Sequence, residues 1–85
     1  MGKKRFKDQI IAEILTTFEG EGANKTKVVY DSGLNFHTIK PYLATLDKND
    51  LIETIPGSLP LYKTTQKGRT ALRHLKAIEK LISVP

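Results

Sequence analysis

Cysteine is absent from the 85 residues, which excludes disulfides, thiol catalysis and the usual structural zinc sites. Histidine is scarce: His37 and His74 stand isolated and cannot make a metal cage unaided, so no metal or cofactor is expected. Long apolar runs are lacking too. The longest, around Ile10 to Ala12, falls far short of the roughly 20 residues that span a bilayer, which excludes a membrane-spanning protein. The start, Met1-Gly2-Lys3-Lys4-Arg5-Phe6, has no apolar stretch of a signal peptide, and Phe6 stands where a myristoylation signal needs Ser or Thr. The expected location is the cytoplasm. Nor is there a glycine-rich phosphate loop, a nucleophile motif or a histidine-carboxylate cluster, so neither an enzyme nor a small-molecule ligand is expected.

What is present is charge, unevenly distributed. The net charge is +5, and Lys3, Lys4, Arg5 and Lys7 supply four of those charges; from Asp8 onward ten basic residues face nine acidic ones. A nearly neutral body that binds a polyanion must do so through a segregated face. Residues 1–6 are expected to form a flexible basic arm.

Ile10, Ile11, Ile14, Leu15 and Phe18 recur with the period of a helix that buries one face, predicting a first helix from about Lys7 to Phe18. Gly20 and Gly22 stop it, and Glu19 to Asn24 are read as a connector. With Asn24 as N-cap, Val28, Val29 and Ser32 predict a two-turn helix from Lys25. Gly33 offers a positive-φ turn, Leu34 an apolar anchor, and Asn35 a cap for the next helix. Ile39, Leu43 and Leu46, with Tyr42 beside them, predict a third helix over Phe36 to Lys48. Pro41 removes a backbone donor and crowds the carbonyl of residue 37, so this helix is expected to kink or to begin late, near Thr38. Leu51 to Ile55 and Leu61 to Thr64 flank the turn residues Pro56 to Pro60 and predict a hairpin. Thr65 then caps a last helix from Gln66 to about Ser83, which buries Leu72, Leu75, Ile78 and Ile82.

This order, mainly α with a small β-hairpin, is that of a winged helix-turn-helix in the α+β class, in which the second helix of the pair enters the DNA major groove. Lys25-Thr26-Lys27-Val28-Val29-Tyr30-Asp31-Ser32-Gly33-Leu34-Asn35-Phe36, with Leu61-Tyr62-Lys63-Thr64-Thr65-Gln66-Lys67-Gly68 downstream and a lysine-rich start, resembles the archaeal winged-helix family of small transcriptional regulators and chromatin-associated DNA-binding proteins. The resemblance implies a non-enzymatic DNA-binding protein, often a homodimer joined through its C-terminal helix.

On the third helix, Asn35, His37, Thr38 and Lys40 are the expected groove contacts, with Phe36, Ala44 and Thr45 on the same side. Lys25 and Lys27 stand at the start of the second helix, where free N–H groups favour phosphate. Tyr30 is read either as a phosphate donor or as half-buried core. Lys3, Lys4 and Arg5 would add phosphate contacts from the arm, and Lys63 is the one cation near a wing tip, Gly57 to Pro60, that carries none. Leu75, Ile78, Leu81 and Ile82 are the expected dimer seam, and the basic residues of that helix are read as its solvated face.

The expectation is therefore a basic arm (1–6), a winged-helix DNA-binding domain (7–65) and a C-terminal helix (66–85) that completes the core and can pair between chains. The function expected is that of a nucleoid-associated regulator of transcription on double-stranded DNA. The alternatives are a weakly specific chromatin protein and a winged helix used only for protein association.

Overall fold

The computed structural model describes residues 7–82. The expected basic arm and the chain from Ser83 on lie outside them. In order come α1 (Lys7–Thr17), α2 (Lys25–Ser32), α3 (Phe36–Lys48), β1 (Ile52–Ile55), β2 (Leu61–Thr64) and α4 (Gln66–Leu81). The class is α+β and the order is that of a winged helix-turn-helix.

Burial follows the helical periodicities closely. Ile10, Ile14, Leu15 and Phe18 of the first helix and its exit meet Val28, Ile39, Leu43, Leu46, Ile52 and Leu72 in one core. The caps form as expected. Asn24 accepts from the Lys27 amide at 3.0 Å and Asn35 from the Thr38 amide at 2.9 Å, while Thr65 accepts from the Gly68 amide at 3.0 Å. Gly33 turns the chain between α2 and α3 with φ of 73°, a region costly for any residue with a Cβ. Ser32, buried in that turn, accepts from the Leu34 amide at 3.1 Å.

The late start of α3 does not occur. The helix begins at Phe36 because the Asn35 cap closes its first turn, and it continues through Pro41 to Lys48. His37 and Pro41 both lie on the exposed side, so the break that the proline makes in the helical ladder falls on the solvent side, where the carbonyl of residue 37 is not sealed in the core.

Two further features were not expected. Leu51 stays out of the hairpin: its N–H donates to the Leu46 carbonyl at 2.8 Å and its own carbonyl accepts from Thr65 at 3.1 Å. The hairpin is thus antiparallel from Ile52↔Thr64 to Ile55↔Leu61. Ala23 is more than a connector, because it forms an isolated bridge with Tyr62, with Ala23 N–H to Tyr62 carbonyl at 2.9 Å and the reverse bond at 2.7 Å. The base of the wing is further tied to α1 through Thr64, whose amide donates to the Phe18 carbonyl at 2.9 Å and whose buried hydroxyl donates to that of Leu15 at 2.7 Å.

The last helix packs on α1 and on β2. Leu72 is buried, and Ala71 and Leu75 are half-buried against the core. Beyond Leu75 its apolar residues are less covered, Ile78, Leu81 and Ile82 being 48%, 84% and 69% exposed, and this end faces the start of α1 across an open groove.

Candidate nucleic-acid interface

The three buried residues of α3 fix what its opposite side presents. With Ile39, Leu43 and Leu46 inward, the 3.6-residue period turns His37, Pro41, Ala44 and Lys48 outward as one ridge, and all four are exposed. Lys40 and Thr45 are exposed on its flanks. Lys48 was absent from the sequence-based candidates because it was read only as the end of the helix, although it continues the i, i+4, i+7 spacing from His37.

Asn35 and Thr38 meet in the cap rather than standing apart. The Thr38 hydroxyl donates to Asn35 Oδ1 at 3.2 Å while its amide donates to the same atom. That oxygen is occupied, and the Asn35 amide group is what it retains for an outside acceptor.

The start of α2 lies beside this helix. Lys25 Nζ stands 4.8 Å from the centre of the Phe36 ring, so the half-buried Phe36 is a platform for a cation as well as a packing residue. Lys27 Nζ lies 3.1 Å from an Asp31 carboxylate oxygen, a solvent-exposed ion pair of the sort that exchanges partners at little cost. Tyr30 is 85% exposed, which excludes the half-buried reading and leaves its hydroxyl accessible on the outer side of α2. Lys63 is half-buried on β2 opposite Glu53. At the wing tip Leu59 is 72% exposed. Among the described residues no group of His, Asp and Glu is arranged to hold a metal ion, and no helix is long and apolar enough to cross a membrane.

The chain belongs to the winged helix-turn-helix family, whose model matches residues 4–83. It is 33% identical over 79 residues to the uncharacterized protein MJ0290 of the archaeon Methanocaldococcus jannaschii; the match covers 93% of this chain and 36% of that protein, so the chain spans about a third of the relative's length. Among solved structures it resembles Sso10a-2, a DNA-binding protein from the archaeon Sulfolobus solfataricus. The TM-score is 0.82 at 25% identity, over 91% of this chain and 81% of that one.

Proposed function

We propose that the protein binds double-stranded DNA with α3 in the major groove and acts as a small regulator of transcription. The observation that carries this is the ridge His37-Pro41-Ala44-Lys48, exposed along a helix whose start is fixed by the Asn35 cap. His37 and the flanking Lys40 supply donors for base acceptors or phosphate, and Ala44 and Pro41 supply apolar surface of the sort that meets a thymine methyl. Lys25, Lys27, Lys48 and Lys63 are assigned to phosphates, together with Lys3, Lys4 and Arg5 of the arm, and Asn35 and Thr38 to the edge of the groove. The likeness to a DNA-binding protein of the same fold supports this reading.

In the same reading 7–65 is the DNA-binding unit, and 66–85 pairs with a second copy through Leu75, Ile78, Leu81 and Ile82. The exposed apolar side chains at the end of α4 support the pairing, since a symmetry mate covers such a patch most simply. A homodimer of this kind works on the nucleoid, in the cytoplasm, without a catalytic residue or cofactor.

Fluorescence anisotropy with a short duplex at several salt concentrations tests the binding. Neutralising five or six phosphates gives a slope of log K against log salt of about −4.5 to −5.4. No binding at low salt overturns the proposal. Selection of bound fragments from genomic DNA tests the regulatory role: a compact consensus with two-fold symmetry supports it, and continuous coating without a consensus replaces it with a chromatin role.

A further inference from the structure

The positive charge of the folded body does not sit on the helix-turn-helix. From Asp8 to Thr65 the sequence holds five basic and eight acidic residues, whereas α4 holds five basic residues against Glu79 alone. Four of the five, Arg69, Arg73, Lys76 and Lys80, recur at i, i+4, i+7 and i+11, which lines them along one side of the helix. All four are exposed. Arg69 is held at the base of the stripe, its guanidinium donating to the Thr64 carbonyl at 3.3 Å. Lys7, at the start of α1, lines the same open groove as Arg73, Lys76 and Lys80, with Asp8 and Glu79 as the acids there.

Solubility does not require this arrangement. Like charges three and four residues apart repel and oppose helix formation, and alternating signs would solvate the helix while stabilising it. A single-sign stripe about 16 Å long is suited to a polyanion, and duplex DNA offers one phosphate charge per about 1.7 Å of axis. We propose that Arg69, Arg73, Lys76 and Lys80, with Lys7, form a second duplex-binding surface, which grips the backbone of a DNA segment other than the one that α3 reads.

This inference rests on the duplex reading above and extends it. The helix α4 packs chiefly on α1 and β2, whereas α3 packs on β1 and α2, so the stripe and the ridge of α3 stand on helices that share no extensive contact. A membrane surface fits the helix less well. The exposed apolar residues of α4, Ile78, Leu81 and Ile82, are confined to its last turn or so, whereas a helix lying in a lipid interface carries an apolar face along its length with its cations beside it.

Energy transfer between short duplexes, half carrying a donor dye and half an acceptor, tests the proposal on the full chain, with anisotropy reporting the binding of a single duplex. Transfer is expected with the wild-type protein and with an Ile78→Glu, Ile82→Glu variant. It should fall to the protein-free level in an Arg73→Gln, Lys76→Gln, Lys80→Gln variant that still binds one duplex and keeps its helical circular dichroism. Transfer undiminished in the triple variant overturns the proposal. So does transfer lost in the Ile78, Ile82 variant, which would assign the joining of duplexes to the dimer alone, and so does tighter binding of the stripe to phosphatidylglycerol vesicles than to duplex. Single-duplex binding without transfer removes only the second surface. No duplex binding by either measurement removes both readings, and single-duplex binding lost in the triple variant but kept in Lys40→Ala overturns the assignment of α3 as the principal surface.

Discussion

The carbonyl oxygen of Leu51 fills the space in which a side chain on Gly68 would stand, and the Thr64 methyl group closes the same space from another side. The start of α4 thereby lies directly against the backbone that leaves α3 for the wing. Both neighbours are hard to move, since the Leu51 carbonyl also accepts from Thr65 and Thr64 is buried.

Gly68→Ala is expected to destabilise the domain by about 1–3 kcal/mol, the usual range for overpacking a close contact. For a domain of this size each kcal/mol lowers the melting temperature by roughly 4–8 °C. A thermal melt followed by circular dichroism checks it, and an unchanged midpoint would show that the backbone yields easily at this contact.

Thr64→Val keeps the shape of the buried side chain and removes its hydroxyl, leaving the Leu15 carbonyl without that donor. The expected loss is about 1–3 kcal/mol, and Thr64→Ser, which restores the donor, should recover part of it. Urea unfolding of the two variants gives the comparison; a Thr64→Val variant as stable as the wild type, with a loss confined to Thr64→Ser, would assign the effect to packing of the methyl group.

Pro41→Ala returns the missing backbone donor to α3 at an exposed position. Helix stability should rise, by up to about 3 kcal/mol less whatever rigidity the proline confers on the unfolded chain. If Pro41 belongs to the reading ridge, duplex affinity falls as stability rises, and measuring both on one preparation separates the two effects.

Much of this was legible before the structure. The inward residues of α1 and α3, the caps at Asn24, Asn35 and Thr65, and the turn at Gly33 depend on short-range spacing, which a sequence displays directly. The Ala23 to Tyr62 bridge does not, because a single bridging residue has no periodicity and its partner lies far along the chain. The role of the Thr64 hydroxyl is illegible for the same reason, its acceptor being 49 residues away. At the candidate interface the helical period shows His37 and Lys40 to be exposed, while the place of Lys48 at the helix end hides it, and for Tyr30 the sequence leaves exposure and half-burial open, since aromatic residues on short helices do both.

Exchanging Ile78 and Ile82 for Glu tests the proposed pairing of α4. Burying one such side chain is worth roughly 1.5–3 kcal/mol, so the intact protein should self-associate at micromolar concentration after association costs are met. The double variant should sediment as a monomer with an unchanged melting temperature, since neither residue is buried in its own domain. A wild-type protein that stays monomeric at high micromolar concentration overturns the pairing.

The two hydrogen bonds between Ala23 and Tyr62 close a long loop of chain, and α2, α3 and β1 all lie inside it. None of these elements can detach fully while the closure holds, and the closure in turn depends on α1, to which Thr64 ties the same strand. Cooperativity is therefore built into the wing rather than left to the core alone. Exchange of amide protons with solvent should divide the molecule at one place: Ala23, Tyr62 and Thr64 exchange only when the whole domain opens, whereas the turn of α4 from Ile78 onward, whose side chains are largely exposed, exchanges by local fraying.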